Sequence, residues 1–219
     1  MSAVLIVSSA RAWTDAQEIL RLQDVAGAYL SEGWAVDLLV PRTSPLIAAA
    51  IDQRVRIFTV VQIPGGALPK RPGWRRLATL LMMFLRGTAL ANRRDYDLLF
   101  GIDDGAAVVR GIDRTTVKRL PYLAEVRNPI NGQAFKGLSA SISRSLERGA
   151  LKHASAVISP DQSILSALGD AAPKPRTGIL PDPHTELSEN AFTYGEFSDS
   201  IMRISDYAMR TANVERPRK

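Results

Sequence analysis

"AVLIVSSARAWTDAQEILRLQDVAGAYLSEGWAVDLLVP", residues 3–41, carries the pattern of a complete strand–helix–strand unit. "AVLIVS" (3–8) is a continuous apolar run of strand length, which suits a strand covered on both faces. A polar loop, "SARAWTD", follows, and Thr14 or Asp15 can cap a helix through "AQEILRLQDVAGAYLSEG". Along that helix Ile19, Leu22, Val25 or Ala26, Tyr29 and Leu30 share one face, and Gly33 ends it. "WAVDLLVP" (34–41) then reads as the second strand.

The same alternation continues outward from this unit. "VRIFTVV" (55–61), "YDLLFG" (96–101), "LPYLAEV" (120–126), "SAVISP" (155–160) and "TGILP" (177–181) are further strand-length runs. Between them lie a helical stretch from about Trp74 to Asn92, a helix in "LSASISRSLERGALKHA" (138–154) and a short one in "DQSILSALG" (161–169). Apolar strands separated by helices build a parallel sheet with both faces covered, so the fold expected is a single doubly wound, mostly parallel α/β domain of the Rossmann kind. It occupies residues 1–184. Residues 185–219 are expected to be a linker and an amphipathic helix that packs back, since Phe197, Ile201, Ile204 and Ala208 recur at i, i+4, i+7 and i+11.

The chain of 219 residues has ordinary globular composition, with 46% hydrophobic and 23% charged residues, but a net charge of +6. Such an excess favours anionic partners. With no cysteine there are no disulfides or thiolate metal sites, which fits a reducing, cytoplasmic setting. Met1 leads straight into the first strand, without the charged n-region of a signal peptide. No stretch reaches the roughly 20 apolar residues needed to span a bilayer.

The positive charge is concentrated. "KRPGWRRLATLLMMFLRGTALANRR" (70–94) holds Lys70, Arg71, Arg75, Arg76, Arg86, Arg93 and Arg94 and no acid. A helix over it can cover the sheet with its apolar residues and leave the arginines in water. It can equally lie in a membrane interface with Trp74, Leu77, Leu81, Phe84 and Leu85 in the lipid. Few aromatics are interleaved with the charge, so a stacking platform is unsupported and no nucleic acid partner is expected.

Parallel sheets bind ligands at the carboxyl ends of their strands. The first such end, "VSSARAWTD", lacks the glycines of a dinucleotide fingerprint, and the chain has no GxxxxGK[ST] loop. Asp103 and Asp104 follow the fourth strand, where two carboxylates can bind a sugar hydroxyl or a metal, or cap the next helix. The fifth strand ends in "EVRNP", which brings Glu125, Arg127 and Asn128 together, either as a Glu125–Arg127 pair shaping the loop or as ligand contacts. The two histidines, His153 and His184, give little support to a catalytic triad.

In order, "YDLLFGIDDGAA", "LPYLAEVRN", "SLERGALKHASAVISPDQSILSALG" and "ILPDPH" resemble the amino-terminal domain of family-4-type glycosyltransferases of the GT-B fold, over residues 3–184. In that family an apolar strand ends in Arg-Asp or His-Asp, here Arg127-Asn128. An "AD-x-V-I-x-x-S" strand follows, here "ASAVISPDQ", and a "PNGVD"-like linker closes the domain, here "PDPH". The first loop lacks the family's glycines, and the donor-binding second domain with its paired glutamates has no counterpart in these residues.

The resemblance implies an acceptor-binding half that transfers sugar from a nucleotide-sugar to a glycan or lipid-linked acceptor, once a separate chain supplies the donor domain. It implies no cofactor or metal. Asp103, Asp104, Glu125, Arg127 and Asn128 would face the acceptor, and Ser9 and Arg11 the donor phosphates. It also implies peripheral attachment at an anionic inner-membrane surface through Lys70, Arg71, Trp74, Arg75, Arg76, Leu81, Phe84, Arg86, Arg93 and Arg94. The other expectation is a non-catalytic module that keeps only the fold and the membrane contact.

Overall fold

A computed structural model of the chain describes residues 1–8, 16–41, 51–60, 72–127, 138–169, 177–181, 183 and 193–215. Its elements run β1 (Ala3–Ser8), α1 (Ala16–Ser31), β2 (Ala35–Pro41), β3 (Arg56–Val60), α2 (Pro72–Arg93), β4 (Leu98–Ile102) and α3 (Gly105–Thr115). They continue with β5 (Tyr122–Glu125), α4 (Leu138–His153), β6 (Ala156–Ser159), α5 (Gln162–Leu168), β7 (Thr177–Ile179) and α6 (Tyr194–Glu215). The strands form one seven-stranded sheet in the order β3-β2-β1-β4-β5-β6-β7, and every pairing is parallel. This is a Rossmann-like α/β fold. Strand order reverses between β1 and β4, which opens a crevice at their carboxyl ends.

Alternation along the strands divides the core in two. Val4, Ile6, Val36, Leu38, Leu98, Phe100, Leu123 and Ile158 point to one face, where they meet Leu22, Val25 and Tyr29 of α1 and Phe197, Ile201 and Ala208 of α6. Leu5, Val7, Leu39, Leu99, Tyr122, Ala124 and Val157 point to the other, under Leu80 and Met83 of α2, Val109 and Ile112 of α3 and Leu151 of α4. Burial on both faces explains why the strands read as unbroken apolar runs. Gly33 closes α1 at φ +75°, with its amide donating to Leu30 O at 3.1 Å. Between α1 and α6 the Tyr29 hydroxyl lies 2.7 Å from Ser205 Oγ, and burial pushes the Tyr29 phenol well above its ordinary pKa.

β2 carries a buried acid in the middle of its apolar run. Asp37 Oδ1 accepts from Arg56 Nε at 2.7 Å, and Oδ2 accepts from Arg94 Nη1 at 2.6 Å and from the Tyr96 hydroxyl. Arg94 also lies 4.9 Å from the Phe58 ring centroid. This corrects the assignment of Arg94 to the membrane surface. A buried carboxylate is stable only when paired, and Arg94 supplies part of that pairing.

α2 shows how phase decides which side chains meet the core. Gly73, Thr79, Leu80, Met83 and Gly87 are buried. Phe84 packs toward α3, where a Cβ added at Gly111 would lie 2.8 Å from its ring. Phe84 is therefore a packing residue and not a lipid contact. Leu81, Met82 and Leu85 are 56%, 38% and 53% exposed, with Arg75, Arg86 and Arg93 exposed around them and Trp74 half-buried at the start. Lys70 and Arg71 lie outside the described residues. No described helix is long and apolar enough to cross a membrane.

Candidate functional site

The crevice at the strand-order reversal is built from the ends of β1, β4 and β5 and from the start of α3. Ser8, the last residue of β1, pairs in register with Ile102 of β4 and is fully buried. Its hydroxyl has no hydrogen-bond partner among the described residues. Asp103 follows β4 at φ +50°, a left-handed conformation that aspartate tolerates better than most residues. Its amide donates to Glu125 O at 2.7 Å, and its Oδ1 accepts from the Arg127 amide at 2.8 Å. The β4 and β5 ends are thereby locked to each other, with the Asp103 carboxylate at the rim.

α3 begins against this rim because two glycines allow it. A Cβ on Gly105 would lie 2.0 Å from Val7 O, and one on Gly101 would lie 2.5 Å from Ala106 Cα. The Ala106 and Ala107 amides donate to Asp103 O and Asp104 O at 3.0 and 3.1 Å, and this end of α3 is the positive end of the helix dipole. Asp104 occupies the position before α3 but makes no side-chain cap hydrogen bond. Its two oxygens accept from Nε and Nη2 of Arg76 on α2. Two expectations are corrected by this contact. Asp104 is a buried tether between helices and is not open to an acceptor, and Arg76 points inward rather than toward lipid.

Glu125 is corrected in the same way. Its side chain is 0% exposed, and Oε1 accepts from Arg21 Nε of α1 at 2.9 Å. Arg127 Nε stands 4.0 Å from the same oxygen, at the outer limit of an ion pair. The stronger partner is thus Arg21, 104 residues away in sequence. Arg21 is itself 1% exposed. It donates further to Leu180 O at 3.0 Å and to Pro181 O at 3.2 Å, and lies 4.5 Å from the Phe197 ring centroid. Sequence reasoning missed Arg21. The available signal was its spacing, four residues before Val25 and eight before Tyr29 on the buried face of α1.

Of the residues named from sequence, Asp103 and Arg127 come together at the rim, with Glu125 beneath them. Ser9, Arg11 and Asn128 lie outside the described residues. The chemistry on offer is a half-buried carboxylate, a guanidinium, a buried hydroxyl and a helix start. These groups suit a polyhydroxyl or anionic ligand. No group of three or more metal-binding side chains occurs among the described residues.

No family model and no curated protein matches the sequence. Solved structures do match the fold. One is a sucrose-phosphate synthase from Thermosynechococcus elongatus in the form designated 27_220_406_426, 14% identical with a TM-score of 0.62, covering 94% of this chain and 98% of that one. Sucrose-phosphate synthase from the same organism matches again at 15% identity and TM-score 0.60, over 84% of this chain and 49% of that one. Anabaena HepE in complex with UDP and glucose matches at 14% and 0.57, over 83% and 45%. The chain spans about half the length of these last two proteins. At such identities the likeness is one of fold, and the fold is the Rossmann-like α/β arrangement of GT-B glycosyltransferases.

Proposed function

We propose that this chain is the acceptor-binding half of a GT-B glycosyltransferase that moves a sugar from a nucleotide-sugar to a glycan or lipid-linked acceptor. The donor-binding half is supplied by another polypeptide. The observation that carries this is the rim at the carboxyl ends of β1, β4 and β5, where Asp103 and Arg127 flank a crevice that ends at Ser8. A UDP-sugar donor is the first to try, given the UDP and glucose held by HepE.

Asp103 accepts a hydrogen bond from an acceptor hydroxyl, and Arg127 with Asn128 fixes its orientation. Ser9 and Arg11 approach the donor phosphates, where positive charge stabilises the departing diphosphate. Glu125 and Arg21 act behind them by holding the β5 end in place. Mixed with donor-domain chains from neighbouring reading frames and a radiolabelled UDP-sugar, the protein gives sugar transfer that neither chain gives alone. Arg127→Ala and Asp103→Asn lower that transfer by about a hundredfold while the chains still associate. Transfer that is indifferent to both substitutions would end the assignment of this rim.

The acceptor reaches the crevice at a membrane surface, and α2 carries the contact. Leu81, Met82 and Leu85 present an apolar strip bordered by Arg75, Arg86 and Arg93. Each basic residue contributes on the order of 1 kcal/mol at an anionic surface, and each buried leucine about 1.5–3 kcal/mol. In flotation on phosphatidylglycerol-containing vesicles, Leu81→Ser/Leu85→Ser reduces the bound fraction more than tenfold. Equal binding by the variant and the parent protein sinks the docking role of this strip.

A further inference from the structure

Away from the crevice, α4 borders a recess of about 380 Å³ with Ser141, Arg144, Ser145 and Arg148. All four are exposed on one flank of the helix. Ser141 and Ser145 stand one turn apart, as do Arg144 and Arg148, so the recess holds two rungs of one hydroxyl and one guanidinium each. Two arginines at i and i+4 repel each other and destabilise a helix. Neither arginine has an ion-pair partner among the described residues. Glu147, the one acid of α4, belongs to the row of Ala140, Ser143 and Ala150 that faces the sheet and does not line the recess.

The other flank of α4 is also cation-rich. Arg110 of α3 packs on Gly149, and its buried Nε has no acceptor among the described residues. The His153 imidazole is pushed below its ordinary pKa, first by burial and then by Arg110, Arg114 and Lys152, with Asp113 opposing. The field around this helix is positive and incompletely neutralised.

We propose that the Ser141–Arg148 flank of α4 is an oxyanion site that takes a phosphate monoester. Among the described residues, the side chains that border the recess are all able to donate hydrogen bonds, and none is a carboxylate. Guanidinium groups meet phosphate oxygens through paired, charge-assisted hydrogen bonds, and the serine hydroxyls satisfy the oxygens that remain. Recognition here needs neither the crevice nor a donor half, so it stands apart from the transferase reading.

The test uses the full chain with Leu81→Ser/Leu85→Ser in place, which removes the α2 contribution to vesicle binding. One arm titrates inorganic phosphate. The other measures binding to phosphatidylcholine vesicles containing phosphatidic acid, against vesicles of equal charge made with phosphatidylglycerol. Arg144→Gln/Arg148→Gln is expected to weaken binding about a hundredfold, tenfold for each guanidinium, and Ser141→Ala/Ser145→Ala by a smaller factor. Arg210→Gln, an exposed change on α6, leaves it unchanged. Binding in the phosphate arm identifies a soluble phosphoryl ligand, and binding confined to phosphatidic acid vesicles identifies a lipid headgroup. No binding in either arm overturns the site, as does equal loss with Arg210→Gln or equal binding by the double arginine variant.

Discussion

Replacing Arg21 with methionine will lower the free energy of unfolding by about 3–5 kcal/mol, the range for removing one partner of a buried ion pair. For a chain of this size the thermal midpoint then falls by about 10 °C. The cost has two sources. The Glu125 carboxylate stays fully buried without its closest cation, and the Leu180 and Pro181 carbonyls each lose a guanidinium donor. Adding Glu125→Leu removes the stranded charge and restores about 2 kcal/mol, so the double variant is more stable than Arg21→Met alone. Circular dichroism melts of the four proteins give the coupling directly. Losses that simply add would mean that the two side chains do not act as a pair.

Gly105→Ala carries the second large penalty. The new methyl would sit 2.0 Å from Val7 O and 2.8 Å from Val7 C, and both are backbone atoms of a central strand that cannot rotate away. Overpacking of this kind costs about 3 kcal/mol, and relief requires the start of α3 to move off the end of β1. Gly195→Ala is the internal comparison, because its nearest neighbour is a Thr193 side-chain atom 3.9 Å away. A helical glycine with open space gains up to about 1 kcal/mol as alanine. Guanidinium denaturation should therefore move the two midpoints in opposite directions. A neutral Gly105→Ala would show that the helix does not rest on the strand at this point.

Strands and helices were legible because both signals are local. Five consecutive apolar residues at 3–7 leave no polar face, and the spacing of Leu22, Val25 and Tyr29 fixes the helix that follows. Boundaries moved by a residue or two. The strand read at 120–126 spans Tyr122–Glu125, although Val126 still donates its amide to Ile158 O at 2.9 Å.

Pairings between distant residues were hidden. The sequence offers Glu125 either its neighbour Arg127 or a ligand, because nothing in it connects position 125 to position 21. α2 hides its orientation for a different reason. Its composition is basic and apolar throughout, so composition could not distinguish Arg76 and Phe84, which point inward, from Arg75 and Leu85, which point out. A single residue, about 100° around the helix, separates those fates, and the position of α3 decides between them.

The shared carboxylate of Asp37 has a consequence for how the sheet comes apart. β3 is its outermost strand on that side and, among the described residues, pairs with β2 alone. An ordinary margin unravels first. Here Arg56 on the margin and Arg94 with Tyr96, on the segment leading into β4, grip the same acid from opposite directions. The periphery is riveted to the route by which the chain re-enters the middle of the sheet, so neither can slip without the other, and that half of the molecule loosens as one block.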